Sequence, residues 1–149
     1  MAQIVGYASL TPLRRGPQGE GVDPRRIVFV IFDGFQPLDL VGPHDVFQHA
    51  ARLTGGDRCQ VMAPVCGSIE SGSGLGVHAA YGVADLDPAG VDTLVVAGGH
   101  GVDAASQDPA LTSWLAAAGE NARRVTSVCS GVFLLAAAGL ITGHQGDAN

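Results

Sequence analysis

One cysteine in this chain lies in a sequence context that suits a reactive thiol. In SVCSG, the small residues Ser127 and Gly131 stand two positions before and two positions after Cys129. Small residues at those positions allow a strand to turn sharply into a helix, which is the geometry of a nucleophile elbow. The positive end of that helix would stabilise Cys129 as a thiolate. A buried, inert cysteine is the alternative interpretation, and the local sequence leaves both open.

An aspartate is the first candidate partner for this thiol. Asp39 lies in FQPLDLVGP, an apolar segment that we predict to be a loop re-entering the fold at Pro43. If it is buried beside Cys129, its carboxyl group could donate a hydrogen bond to the thiolate or relay a proton. An Asx-turn or a helix cap is the alternative role. Asp45 is the rival carboxylate, but the sequence places it in the first turn of a helix, where it would stabilise the helix dipole.

The glycine-rich segment AGGHG supplies the remaining candidates. Backbone amides at Gly99 or His100, together with the amide of Ser130, could form an oxyanion pocket that faces the target of the sulfur. His100 could also act as a base for Cys129, although a histidine in a solvent-facing loop is the alternative.

The same segment formally matches a dinucleotide-binding fingerprint, G-x-G-x-x-A over 99–104. It does not follow the first predicted strand, and no acidic residue closes a following strand about 20 residues on, so we expect no nucleotide cofactor. The histidines also lack the spacing of metal ligands. His44 and His49 diverge on a predicted helix, and His78 and His144 have no suitable neighbours, so we expect no metal.

The candidate residues follow segments that have the patterns of strands. RIVFVIF (26–32) is continuously apolar and β-branched, which is typical of a strand buried on both faces of a parallel sheet. The other predicted strands are RCQVMAP (58–64), DTLVVAGG (92–99) and RRVTSV (123–128), and SIESGSGLGVHAA (68–80) predicts a β-hairpin.

Helical periodicity separates these strands. PHDVFQHAARL (43–53) places an apolar stripe on one face, formed by Val46, Phe47, Ala50 and Leu53. DPALTSWLAAAGENA (108–122) has Asp108 as its N-cap and a second stripe, formed by Leu111, Trp114, Leu115 and Ala118. A third helix is predicted in SGVFLLAAAGL (130–140).

Strand and helix in alternation predict an α/β fold, with a doubly wound, mostly parallel sheet and helices on both faces. In such sheets ligands gather at the carboxyl ends of the strands, where Asp39, Gly99 and Cys129 would meet. We expect a flexible tail at 1–24 and one domain at 25–149.

Composition restricts the partners and the location. The 149 residues carry a net charge of -6, and all eight basic residues are arginines in scattered positions, so we expect no nucleic-acid binding by this chain. Three cysteines form no C-x-x-C pair, which fits a reducing cytoplasm. We find no signal-peptide pattern and no apolar run near the roughly 18 residues of a membrane span, so no membrane partner is expected.

Three segments carry a resemblance to a known family. They are RRIVFVIFDGFQPLDLVGPHDVF, LVVAGGHGVDAASQDPALTSWL and RRVTSVCSGVFLLAAAGL. In this order, from about Arg25 to Ile141, they resemble the ThiJ/PfpI superfamily, which has the flavodoxin-like fold of class I glutamine amidotransferases. They are similar, more narrowly, to the N-terminal sensor half of GlxA-type transcriptional regulators of the AraC family, and less closely to isocyanide hydratases.

The resemblance implies roles for four residues. Cys129 would be the elbow cysteine, Asp39 its acidic partner, and Gly99 and Ser130 the surrounding amides. Ser130 stands where protease-like members have a histidine, so a Cys-His protease is not implied. The expected function is small-molecule sensing in an AraC-type regulator, and the alternative is a cysteine-dependent hydratase or hydrolase that resembles isocyanide hydratase.

The resemblance also predicts more chain than the sequence contains. Regulators and hydratases of this kind continue past a glycine-leucine step into further strands and helices, and the regulators then carry helix-turn-helix motifs, whereas ITGHQGDAN ends this sequence. We therefore expect a domain incomplete at its C-terminus, which would reach DNA only through an absent region. Uncovered apolar surface on its last helix or strand would favour self-association, with a homodimer as the expected state, and the alternatives are an unstable domain or a gene fragment.

Overall fold

The computed structural model describes residues 23–141. Six strands and four helices form this part of the chain, together with a short 3-10 turn at Pro88–Gly90. The strands are β1 Arg26–Val30, β2 Arg58–Met62, β3 Gly67–Glu70, β4 Gly76–Ala79, β5 Thr93–Val96 and β6 Arg124–Ser127. The helices are α1 Pro37–Thr54, α2 Val102–Ser106, α3 Pro109–Asn121 and α4 Gly131–Ala137. Nearly all of the predicted tail and the polar end after Ile141 lie outside the described residues.

Four of the strands form one parallel sheet in the order β2-β1-β5-β6. The chain moves outward from β1 to β2 through α1, and in the opposite direction from β5 to β6 through α3. Because parallel crossovers are right-handed, these two movements place α1 and α3 on opposite faces of the sheet. The predicted doubly wound α/β fold is therefore confirmed, and its order reverses between β1 and β5.

The predicted hairpin is also present. Strands β3 and β4 pair antiparallel, with Gly67 opposite Ala79. Backbone hydrogen bonds fasten the hairpin to the loop after β1: the Gly34 N–H donates to the Glu70 carbonyl at 2.8 Å, and the Gly72 N–H donates to the Phe35 carbonyl at 2.9 Å. The hairpin therefore lies at the carboxyl edge of the main sheet.

The core lies on both faces of β1, as its apolar run predicts. Ile27 to Phe32 are all buried. The ring of Phe29 packs against His44 and Phe47 of α1, with centroid separations of 5.1 and 5.9 Å. In α3, the Asp108 side chain caps the first turn and the predicted stripe is buried, and Leu134 and Leu135 of α4 are buried as well. On α4, Phe133 is the large apolar side chain left exposed, at 63 %.

Helix α1 departs from the prediction at its beginning. It begins at Pro37 rather than at Pro43, so Asp39 lies in its first turn and not in a loop. Pro43 lies inside the helix, where its missing N–H costs one backbone hydrogen bond. Pro37 supplies the fixed φ that favours a first helical turn, six residues before the start that the sequence pattern predicts.

The predicted apolar stripe of this helix is only partly correct. Phe47 packs against the core, but Val46 is 49 % exposed and Leu53 is 77 % exposed. The earlier start explains the error in part, because Leu40, in the turn absent from the prediction, takes the buried position next to Asp39. Within residues 23–141, no helix is both long and apolar enough to span a membrane.

Candidate functional site

The backbone at Cys129 is unusual. Its φ is +51°, and no other non-glycine residue of the described part of the chain has a positive φ. The turn is closed by a hydrogen bond of 3.0 Å from the Gly131 N–H to the Val128 carbonyl. A side chain at Gly131 would press on the Val96 carbonyl oxygen, since an added Cβ would lie 2.5 Å from it. The strand therefore turns sharply into α4 at Cys129, and the small residue two positions later is required by close packing.

The Cys129 side chain is exposed and lines a cavity of about 510 Å³. This cavity brings together four of the predicted site residues, namely Gly99, His100, Cys129 and Ser130. Four further residues line it: Gln36, Val102, Asp103 and Phe133. The sequence analysis does not single out these four, although Gln36 lies within FQPLDLVGP and both Val102 and Asp103 lie within the glycine-rich segment 99–104.

Asp39 is buried but does not line this cavity. Its Oδ2 accepts a hydrogen bond of 3.0 Å from the Gly98 N–H, and within the described residues it makes no hydrogen bond to Cys129. The expected contact between the carboxyl group and the thiol is therefore replaced by a contact with the glycine turn. Asp45, the rival carboxylate, is exposed to solvent. It lies in the middle of α1 and not in its first turn, because that helix begins eight residues earlier.

The Gly99 amide is also engaged differently from the prediction. Its N–H donates to the Ser130 Oγ at 3.0 Å, and the same hydroxyl lies 3.4 Å from the Gly99 carbonyl oxygen. The Gly99 amide therefore holds the hydroxyl of the residue after the elbow instead of facing a ligand. This contact ties the β5 loop to the beginning of α4.

The glycines of AGGHG have a packing function. Gly99 has a φ of +135°, and an added Cβ would lie 2.7 Å from the Gln36 nitrogen and collide with the Gly34 carbonyl. An added Cβ at Gly101 would collide with the Asp33 carbonyl. The Gln36 N–H donates to the Gly98 carbonyl at 2.8 Å, so the loops after β1 and β5 are in direct backbone contact. The glycine spacing that resembles a dinucleotide fingerprint is thus explained by the approach of two loops.

His100 lies between two cavities. It lines the cavity of Cys129 and a second one of about 460 Å³ beside the hairpin. Its ring covers Gly72 and Gly34: added Cβ atoms there would lie 2.7 Å from Nδ1 and 3.0 Å from Nε2. His100 and Cys129 share no hydrogen bond, so the role of His100 as a base stays a prediction.

The other two cysteines differ from Cys129. Burial, followed by the negative charge of Asp57, raises the pKa of the Cys59 thiol above its usual value, which keeps it protonated. Cys66 is exposed but lines neither cavity. Between residues 23 and 141, no three His, Cys, Asp or Glu side chains come together in a way that could hold a metal ion.

A family model describes most of the chain. The model of the DJ-1/PfpI family matches residues 25–148, so the chain belongs to the DJ-1/PfpI family. This confirms the broader resemblance drawn from the sequence, to the ThiJ/PfpI superfamily.

The similar proteins include an uncharacterised protein, a hydratase and a transcriptional regulator. An uncharacterised protein from the cpoL 5' region of Streptomyces lividans is 38% identical over 125 residues, which are 82% of this chain and 85% of that protein. An isonitrile hydratase of Pseudomonas putida is 32% identical over 80% of this chain and 50% of its own. An HTH-type transcriptional regulator of Mycobacterium tuberculosis is 55% identical over 51 residues, which are 34% of this chain and 20% of the regulator.

Comparison with solved structures identifies the same family fold. A crystal structure of a ThiJ/PfpI family protein from Pseudomonas syringae superposes with a TM-score of 0.74 and 28% identity, covering 91% of this chain and 57% of that one. The chain thus spans about half the length of the hydratase and of this structure, and most of the Streptomyces protein.

Proposed function

We propose that this chain is the small-molecule-sensing domain of an AraC-type transcriptional regulator, and that its ligand binds in the cavity over Cys129. One observation carries the proposal: Cys129 is held in a left-handed backbone conformation and is exposed in that cavity. Such strain is kept where the surrounding structure enforces it, and it occurs often at ligand sites. The 55% identity with an HTH-type regulator over 51 residues supports this function.

In this proposal some site residues contact the ligand and another positions the loop beside it. Val102 and Phe133 offer apolar surface to the ligand, and Gln36 and Ser130 offer polar groups. Asp39 acts through Gly98 as a positioning residue, because its carboxylate fixes the amide of the loop that borders the cavity. A cytoplasmic homodimer, in which DNA is contacted outside this domain, completes the proposal.

A second function has support of its own. The 32% identity with an isonitrile hydratase extends over 80% of this chain, and the elbow suits a nucleophile. In that reaction the Cys129 sulfur would bond to the terminal isonitrile carbon, which takes up a proton. Water would then add to this carbon, the bond to sulfur would break, and an N-substituted formamide would leave. The amides of His100 and Ser130 are the remaining candidate donors for the developing charge.

One experiment separates the two functions. The chain is mixed with cyclohexyl isocyanide, N-cyclohexylformamide and a library of small metabolites, and backbone amide shifts and formamide production are followed by NMR. Saturable shifts at Gly99, Ser130 and Phe133 without turnover support a sensing domain. Turnover that disappears in Cys129→Ala but persists in the control Cys66→Ala supports the hydratase. If no compound shifts the cavity residues and none is converted, both functions are wrong.

A further inference from the structure

Among residues 23–141, Asp103 is the one acidic side chain that lines the Cys129 cavity, and His100 is the one basic side chain there. Asp103 lines the cavity, and no arginine among the described residues does so. The neighbouring cavity across His100 adds two more acidic side chains, Asp33 and Glu70, and its lining within residues 23–141 includes no arginine. Phe133, which is 63 % exposed, contributes an aromatic face to the Cys129 cavity.

The arginines of the described chain lie at the other edge of the sheet. Arg26, Arg58 and Arg124 are the first residues of β1, β2 and β6. Arg25 and Arg123 immediately precede two of these strands, and Arg52 lies in the last turn of α1, which leads into the beginning of β2. Because parallel strands begin at one edge and end at the other, positive charge collects opposite the carboxyl ends where the cavity lies. The chain contains no lysine that could offset this arrangement.

We propose that the cavity over Cys129 selects uncharged or cationic, amine-bearing ligands and rejects carboxylates and phosphates, with Asp103 as the residue that sets this specificity. The inference rests on the proposed function, because it names the ligand class of that same cavity. Among the described lining residues a carboxylate or phosphate would meet Asp103 with no arginine to balance it, whereas an ammonium group would be attracted by Asp103 and by the face of the Phe133 ring. Either the sensing domain or the hydratase would show this selectivity.

The test uses two probes of nearly equal size and opposite charge, trimethylammonium-ethyl and sulfonato-ethyl methanethiosulfonate. Each forms a disulfide with a cysteine sulfur and releases methanesulfinate. Trypsin cleaves after arginine, so peptide 125–149 carries Cys129 alone. Peptide 59–123 carries Cys59 and Cys66, so the label on Cys66 is located by fragmentation of that peptide and serves as an internal reference. Rates of labelling are measured by mass spectrometry at low salt on the intact chain.

We expect Cys129 to prefer the cationic probe by about fivefold after normalisation to Cys66, and Asp103→Asn to lower this preference to about twofold. High salt should reduce the preference in the wild-type protein, because Asp103 is exposed. Asp45→Asn removes an equal charge from the outer part of α1 and should leave the preference unchanged. Equal rates for both probes, or an unchanged preference in Asp103→Asn, would overturn this inference alone. Failure of both probes to label Cys129 would overturn it together with the accessible thiol on which the proposed function depends.

Discussion

Cys129 combines an exposed thiol with a backbone conformation that a cysteine disfavours. A left-handed φ of +51° costs a non-glycine residue roughly 1–2 kcal/mol. The hydrogen bond between Gly131 and Val128, and the close fit of Gly131 against Val96, hold the turn in place. The surrounding structure therefore maintains a conformation that directs the residue into the cavity.

The strain at Cys129 predicts an unusual effect of glycine. Cys129→Gly should be more stable than Cys129→Ala by about 1 kcal/mol in urea denaturation, because glycine adopts a positive φ without a steric penalty. Ala136→Gly is a control of opposite sign: Ala136 is exposed in α4, and glycine there should cost up to about 1 kcal/mol. If glycine also destabilises the protein at position 129, the strain is not real.

Asp39 should be more important for stability than its absence from the cavity suggests. Asp39→Ala leaves the buried Gly98 N–H without its acceptor and should lower the free energy of unfolding by about 1–3 kcal/mol. Asp39→Asn should cost less, since the amide oxygen can still accept this bond. Asp45→Ala, on the exposed side of the same helix, should change stability by less than about 0.5 kcal/mol. Equal stability of the Asp39→Ala and Asp45→Ala variants would show that the Gly98 amide finds another acceptor.

Some features of the site residues can be predicted from the sequence and others cannot. The elbow could be predicted because it depends on the sizes of adjacent residues. The partner of the Gly99 amide could not, because it is chosen by the approach of Ser130, 31 positions away in the chain, to within 3.0 Å. Local sequence does not determine contacts of that kind.

At the scale of elements, β1 was easy to predict and α1 was not. A strand buried on both faces leaves a continuous apolar run, as in Ile27 to Phe32. In FQPLDLVGP, two prolines and a glycine are typical of a loop, so the sequence pattern predicts a helix that begins only at Pro43. Burial of Leu40 and the hydrogen bond of Asp39 stabilise the extra turns in spite of that composition, because tertiary packing supplies most of the stability of a helix.

An ion pair joins the beginnings of β5 and β6 and predicts a pH effect. Burial would raise the pKa of Asp92, but the hydrogen bonds from Arg123 and Thr93, with the charge of Arg123, outweigh it and lower this pKa below its usual 3.8. The contribution of the pair to stability is therefore complete above pH 3.8 and is lost as the pH falls through the lowered value. Because Arg123 is 46 % exposed, the ion pair should contribute less than about 1 kcal/mol to the free energy of unfolding.

The measurement for this ion pair is a comparison of Asp92→Asn with the wild-type protein in urea at pH 7 and pH 2.5. The difference in unfolding free energy should be present at pH 7 and much smaller at pH 2.5. Asp87→Asn serves as the control, since Asp87 is exposed and caps only a short turn. A difference that is the same at both pH values would assign the effect of Asp92→Asn to packing and not to charge.

At the scale of the whole molecule, the reversal of strand order determines the position of the site. Alternating strands and helices predict a doubly wound sheet, but they do not say which strands are neighbours. In the order β2-β1-β5-β6, the loops after β1 and β5 lie side by side, and their backbones touch at Gln36 and Gly98. The elbow after β6 is the next loop along this edge. One cavity can therefore collect residues from three segments that are far apart in the sequence.

This arrangement predicts that the domain unfolds as one unit. Trp114, the one tryptophan, is 6 % exposed on α3 and donates from Nε1 to the Leu86 carbonyl at 2.9 Å, so its fluorescence reports on packing far from α1. Fluorescence and far-UV circular dichroism should give the same urea midpoint, with a slope of about 1–3 kcal/mol per molar urea. For the proposed homodimer, this midpoint should rise with protein concentration, because association stabilises only the folded state. Two separate midpoints would show that α3 and its neighbours unfold independently of the rest, and a single midpoint that does not change with concentration would contradict the dimer while leaving the cooperative fold intact.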